Sequence, residues 1–544
     1  MKKFLMILAS VLICAITSPI LASCTSEDNA VTTPDPDPEA SPLADVTIMY
    51  YGHGGGNLDE NLVGQLRNLY RAEASCYEHV KIAAEYKFST KSGLPIFGIE
   101  YAKQYVEERM KNEGKGAEAK ISDEIYLRWM DPEGSTTFRF VLDPTQTLKE
   151  QVEDNYIPGK NADITNPDSL TNFINWAAKA CPAKKYVLIL GDHGGGYQPD
   201  NEIYKGNAAT TRGVIFDDGN NFNHFTALSL AHAIKAANIR PDVIYFDACM
   251  MNTLEYMFEL QDVTDYIVAS TYRALTGATY ATLIEILSKS SEQMNLALKE
   301  YVEHCVKSID SGNEDDVFYY DMTATETAKL DRLGKSMREF TDRLCDTYKH
   351  GTAEQKQKID AVTENAVKIS KEYALYDVGR YMERMTEALP EVFDEVFGAE
   401  LEASFNDCIV GQYTSKYLLK RDYQVDYSVL LTTKGSYLQA TWDDLVINSN
   451  SQILTNLTCY EPDGKYTEYS VENGEFRNGV TPDYILKAEK VGQWGGTLEA
   501  VYGALAFDKA TGWSRWLLLN EQQLPIWCNN DFNVPLPKNS EEAQ

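Results

Sequence analysis

Two short stretches carry side chains able to do covalent chemistry. VLILGDHGGGY, Val187 to Tyr197, delivers an imidazole at His193. VIYFDACMMN, Val243 to Asn252, delivers a thiol at Cys249, 56 residues later. A thiol is a useful nucleophile only as the thiolate, and a neighbouring imidazole can take its proton and pass it to a leaving group. Gly194, Gly195 and Gly196 leave the backbone bare after the histidine, so that an N–H there can approach a developing oxyanion. Together these types point to acyl transfer through a thioester. Taken singly, the same residues fit a buried strand cysteine and a turn histidine bonded to backbone equally well.

Each reactive residue closes a run of aliphatic residues bounded by Gly or Asp, the signature of a buried parallel strand. Open α/β sheets place their sites at the C-terminal edges of such strands. The surrounding pattern agrees. Strands are expected at Val46–Tyr51, Val80–Phe88, Gly213–Phe216 and Tyr266–Ser270. Helices are expected at Asn57–Tyr70, from an Asp168 or Ser169 cap through Trp176, at Ala227–Ile239 and at Thr253–Leu260. Alternating strands and helices argue for a parallel sheet covered on both faces. Tyr101–Asn112 reads as a further helix, and Ile125–Met130 with Thr136–Leu142 reads as a hairpin around Asp131-Pro132-Glu133-Gly134. Residues 321 to 407 read as mostly helical. From Tyr427 onward short alternating runs, GALAFD among them, read as antiparallel β structure. A second HGGG at His53 has different flanks and reads as a loop after the first strand.

Composition sets the broader bounds. A chain of 544 residues is expected to hold more than one domain. A net charge of −31 repels nucleic acid and favours basic partners. None of the ten cysteines forms a CxxC, which removes the usual zinc and redox spacings. The other body cysteines read as small buried hydrophobes, with room for one disulfide. At the N-terminus Lys2 and Lys3 precede a broken apolar run that ends in Leu21-Ala22-Ser23-Cys24. This resembles a bacterial lipobox and implies cleavage before Cys24 and a lipid on its thiol. The Pro-rich, acidic stretch to Leu43 reads as a tether.

The residues PAKKYVLILGDHGGGY, then PDVIYFDACMMNTLEYMFELQDVTDYIVAS, resemble the clostripain family of cysteine peptidases, in the caspase–gingipain–legumain clan. The likeness runs through strand-HGGG-aromatic, strand-Asp-Ala-Cys-Met, the helix with Glu255 and a strand ending Ala-Ser. Tyr376-Asp377-Val378-Gly379 and Thr511-Gly512-Trp513 match more loosely. The resemblance implies an α/β fold with a caspase-like, mostly parallel sheet flanked by helices. It implies Cys249 as nucleophile, His193 as general acid–base, and the Gly194 and Cys249 N–H groups as oxyanion hole. It further implies Asp247 as the acid of a pocket for a P1 Arg or Lys, to which a strand-end carboxylate offers a bidentate partner. After Ala269-Ser270 the family usually carries an acidic residue. This chain has Thr271-Tyr272-Arg273, and Arg273 would compete for Asp247. Relatives are often matured by cleavage between His and Cys, which directs attention to Lys205 and Arg212 in the polar loop Gln198 to Arg212.

No cofactor is required by this reading. Calcium, needed by some relatives, would find oxygens at Asp217, Asp218, Asn220 and Asn221, although no EF-hand spacing exists and no metal ligand is assigned. The expected organisation is a signal peptide (1–23), a tether (24–44), a catalytic domain (45–310), a helical segment (311–410) and a β-rich C-terminal region (411–544). The expected activity is that of a lipid-anchored extracytoplasmic cysteine endopeptidase acting on polypeptides basic at P1, with no nucleic-acid partner. Ser26-Glu27-Asp28 resembles a surface-export signal and favours the outer membrane or cell surface. The competing class is a surface lipoprotein that binds protein or glycan through the same body. A serine esterase is set aside because no GxSxG elbow occurs.

Overall fold

The computed structural model describes residues 43–56, 58–89, 137–155, 157, 160–197, 213–220, 223–271, 274, 279–310, 321–365, 376–414, 430–431 and 505–519, with four two-residue strands between 459 and 476. Nine strands are introduced first: β1 (Ala44–His53), β2 (Val80–Lys87), β3 (Thr137–Val141), β4 (Ala183–Gly191), β5 (Val214–Asp217), β6 (Asn223–Phe225), β7 (Val243–Asp247), β8 (Tyr266–Ala269) and β9 (Asp321–Glu326). Two more follow, β10 (Tyr376–Asp377) and β11 (Ile409–Thr414). The main sheet has eight strands in the order β11-β9-β8-β7-β4-β1-β2-β3. Its inner pairs β2·β1, β1·β4, β4·β7 and β7·β8 are parallel, whereas β3, β9 and β11 pair antiparallel at its two sides. The fold is α/β, with this mostly parallel sheet flanked by helices.

The alternation of side chains along each strand sorts the core into two layers. Val46, Ile48, Tyr50, Val187, Ile189, Val243 and Tyr245 pack on one face, under the helices Asp59–Asn68, Thr279–Ser290 and Met294–Asp310. Met49, Tyr51, Leu188, Leu190, Ile244 and Phe246 pack on the other, under Pro167–Ala180, Ala227–Lys235, Leu254–Leu260 and Leu330–His350. Central strands buried on both faces need apolar residues at nearly every position, as the sequences VLIL and VIYF supply. Each such fully buried side chain contributes roughly 1.5–3 kcal/mol.

Several expectations need correction. The helix expected to be capped by Asp168 or Ser169 spans Pro167–Ala180. Asn166 caps it, accepting the Asp168 N–H at 2.9 Å, and a proline at the first helical position needs no donor. Asp321–Glu326, read as the start of a helical stretch, is a strand, because DMTATE alternates and completes the sheet beside β8. The GALAFD run holds a helix, Ala506–Thr511, ended by Gly512 at φ 67°. Its Phe507 is buried against Phe258, so tertiary packing overrides a short alternating pattern. The expected hairpin places its second arm, Thr137–Val141, antiparallel to β2, while Tyr101–Asn112 and Ile125–Met130 lie outside the described residues.

The loosely matching motifs have structural work. Asp377 caps the helix Val378–Ala388 by accepting the Arg380 N–H at 2.8 Å. Trp513 is fully buried and meets Tyr381 edge to face. Glu255 is fully buried in the helix that follows the cysteine strand.

Candidate active site

His193 and Cys249 are brought together by strand register. Gly191 of β4 lies opposite Asp247 of β7, and each reactive residue follows two positions later. The Asp192 N–H donates to the Asp247 carbonyl at 3.3 Å, so the strands stay joined past the last ladder pair. Gly194 then sits directly against the backbone of Cys249. A Cβ added there would lie 2.2 Å from the Cys249 carbonyl oxygen and 3.0 Å from its nitrogen. Only glycine permits that approach.

Cys249 stands apart from the other cysteines whose burial is described. It is half-buried, whereas Cys76, Cys181, Cys305, Cys345 and Cys408 are buried free thiols. Burial pushes Cys181 and Cys345 up to about 11, and Cys305 and Cys408 up to about 12, which leaves them inert near neutral pH.

A short hairpin holds the histidine backbone. The His193 carbonyl accepts from the Ile215 N–H at 3.3 Å, and the Gly195 N–H donates to the Gly213 carbonyl at 3.0 Å. This bridge uses the groups on either side of Gly194 and leaves the Gly194 N–H out of the pairing. Asp192 accepts the His193 N–H at 2.5 Å and the Phe216 N–H at 2.7 Å. Among the described residues, Ile215 and Met250 are the non-glycine residues at positive φ, 58° and 59°. One bonds the histidine and the other follows the cysteine. Each costs about 1–2 kcal/mol of backbone strain, held at the site by the surrounding core. Burial, reinforced by the charge of His53, pushes His193 down to about 4, so its imidazole is neutral at pH 7 and able to accept a proton.

Asp247 is 4% exposed at the end of the cysteine strand. It accepts from the Tyr280 hydroxyl at 2.5 Å, and burial raises it to about 6. Tyr50, whose ring meets Tyr280 edge to face, places its buried hydroxyl under Gly52 and Gly191 with no hydrogen-bond partner among the described residues. Neither tyrosine carries a sequence signal of its own, because an aromatic within a strand (Tyr50) or on the apolar face of a helix (Tyr280) reads as core. Where an acid was expected after Ala269-Ser270, Thr271 donates its N–H (2.9 Å) and hydroxyl (2.6 Å) to buried Asp321 of β9. A carboxylate therefore reaches this edge from a different strand. Cys24, Lys205, Arg212 and Arg273 lie outside the described residues.

The calcium expectation does not fit the residues present. The Lys87 ammonium is 2.7 Å from both oxygens of Asp217, and His53 Nε2 is 3.0 Å from Asp218 Oδ1. The acidic pair is thus neutralised from within, and Asn221 is outside the described residues.

His53, expected in a loop after the first strand, needs correction. It is the last residue of β1, and Gly52 pairs with Gly191. The two HGGG motifs therefore end adjacent parallel strands, nearly in register. A Cβ on Gly55 would lie 2.0 Å from Asp192 Oδ1 and 2.7 Å from the His193 ring. The repeated motif was the available signal.

Clostripain of Hathewaya histolytica is 31% identical over 104 residues, which span 18% of this chain and 18% of that protein. A secreted C11 cysteine protease of Bacteroides thetaiotaomicron is 16% identical, covering 72% of this chain and 94% of its own, with a TM-score of 0.48. An inactive zymogen C11 protease of Parabacteroides distasonis is 15% identical, covering 76% and 99%, with a TM-score of 0.44. The family model described as the clostripain family matches residues 130–487, more than half of the sequence and both reactive residues, and the chain belongs to that family.

Proposed function

We propose that the chain is a cysteine endopeptidase in which Cys249 attacks the peptide carbonyl. His193, neutral at the start, takes the thiol proton. The thiolate adds to the carbonyl carbon, and the Gly194 and Cys249 N–H groups receive the oxyanion. Collapse forms the thioester and expels the amine, which takes the proton from His193. Water, deprotonated by His193, then releases the acid and restores the thiol. The observation that carries this reading is the backbone contact between Gly194 and Cys249, which puts the bare turn after the imidazole against the thiol's own main chain.

In this reading Asp247 receives a P1 Arg or Lys. Self-cleavage follows Lys205 or Arg212, and the chain is anchored through lipid on Cys24 at the outer membrane or cell surface. The chain that resumes after that loop pairs with the histidine backbone through Gly213 to Ile215, and the proposed cut falls immediately before it. Among the described residues no helix is long and apolar enough to cross a membrane.

The test compares residues 25–544 with Cys249→Ala on fluorogenic peptides ending in Arg, Lys, Asp or Leu. Cleavage after Arg or Lys that vanishes in the variant supports the whole reading. Cleavage after another residue keeps the peptidase and removes Asp247 from the pocket. Absence of any cleavage, before and after a nick at Lys205 or Arg212, transfers support to a binding lipoprotein.

A further inference from the structure

The first HGGG is buried, charged and unused by the mechanism above. His53 is 0% exposed. Its Nδ1 donates to the Lys87 carbonyl at 2.7 Å, and its Nε2 lies 3.0 Å from Asp218 Oδ1 and 3.8 Å from Asp217 Oδ1. The Asp218 N–H nitrogen also lies 3.2 Å from Nε2, so Asp218 meets this nitrogen through both its backbone and its carboxylate, and the surrounding carboxylates favour the cationic ring. Two arms run from it to His193. The first is its own loop: Gly54 N–H donates to the Lys87 carbonyl at 3.0 Å, Gly56 N–H donates to Ser89 Oγ at 2.9 Å, and Gly55, at φ 53°, rests on Asp192 and the His193 ring. The second is the hairpin that Asp217 and Asp218 terminate, whose N–H groups at Ile215 and Phe216 bond His193 and Asp192.

We infer that His53 is a positioning residue for the proposed dyad, pinning the glycine loop on one side of His193 and the Gly213–Asp218 hairpin on the other. The inference rests on the peptidase reading. Among the described residues, the charged groups facing His53 are Lys87 from β2, Asp59 from the helix that follows the loop, Asp192 and His193 just after β4, Asp217 at the end of β5 and Asp218 just after it. The acidic members raise His53 to about 9 despite its burial, and His53 in turn helps to depress His193. The imidazolium therefore acts in two ways, by holding two backbone segments in place and by keeping the catalytic imidazole unprotonated.

The experiment compares wild type with His53→Gln, Asp218→Asn and Gly55→Ala. In His53→Gln, kcat is expected to fall roughly 100-fold, the scale of a 1 Å misplacement of a reacting group, with KM changed less than threefold. The acid limb of kcat/KM is expected to move upward in pH, because a positive charge beside His193 is gone. Selectively labelled histidine should show the His193 ring titrating higher by NMR in the same variant, a readout that needs no turnover. A folded His53→Gln with wild-type kcat and unshifted His193 titration overturns the inference. If His53→Gln does not fold, wild-type kcat in both Asp218→Asn and Gly55→Ala overturns it. A wild-type chain that cleaves nothing overturns the peptidase reading instead, and the NMR shift then decides the positioning claim by itself.

Discussion

The backbone of Gly194 is in contact with that of Cys249, close enough that a methyl group on Gly194 would stand 2.2 Å from the Cys249 carbonyl oxygen. The contact joins the residue after the imidazole to the residue that bears the thiol.

Gly194→Ala should therefore force the two turns apart. Loss of one oxyanion donor alone costs about 10²–10³ in kcat, and displacement of the dyad adds to it. Stopped-flow hydrolysis together with alkylation of Cys249 by a peptide electrophile measures both effects. Wild-type rates in the variant would remove Gly194 from the oxyanion site.

The pH profile should depend on the substrate. His193 is held near 4 and Asp247 near 6. For a P1 Arg peptide, kcat/KM should fall as pH drops through about 6, because Asp247 gains a proton and loses its charge. For a P1 Leu peptide the fall should be deferred to about pH 4, where His193 is protonated. Identical limbs for both substrates would show that Asp247 does not touch the P1 side chain.

Asp247→Asn should trade specificity for stability. The folded carboxyl titrates near 6 and an unfolded one near 3.8, so the folded chain holds a proton that the unfolded chain lacks between those values. The group's contribution is fully present below pH 4 and is lost as pH rises through 6, about 3 kcal/mol in all. The variant should gain most of that at pH 7.5 and nothing at pH 4, read as Tm. It should also lose cleavage after Arg and Lys.

Calcium should be dispensable, because Lys87 already pairs with both oxygens of Asp217. A chelator is expected to leave kcat/KM within twofold and added calcium to leave Tm unchanged. Lys87→Met should cost about 3–5 kcal/mol, since it strands a buried carboxylate. A large calcium-dependent Tm increase in the wild type would contradict this assignment.

The C-terminal helices should be part of the folded body. Trp513 and Trp516 are fully buried, and Arg338 donates to the Ala510 carbonyl at 2.8 Å. Trp516→Ala should cost roughly 3–5 kcal/mol, measured by denaturant unfolding. A change below 1 kcal/mol would detach this segment from the core.

By itself the sequence determined the class of chemistry and the strands that present it. VLILGDHGGG and VIYFDAC are legible because a central parallel strand must be apolar on both faces and must end in its functional group. Local apolar spacing also located the helices Asp59–Asn68, Pro167–Ala180, Ala227–Lys235 and Leu254–Leu260, whereas Thr279–Ser290 and Met294–Asp310 went unread. What only the tertiary structure decided depends on which strands become neighbours. His53 sits 140 residues before His193 in the chain, yet β1 and β4 pair in register and set the two glycine turns against each other. Tyr50, Tyr280 and Asp321 reach the edge around Asp247 and Thr271 from three further elements, and none carries a local pattern distinct from core. Side-chain type and spacing are properties of a segment, whereas burial, register and the charge that one histidine exerts on another arise only when distant segments close on the same edge of a sheet.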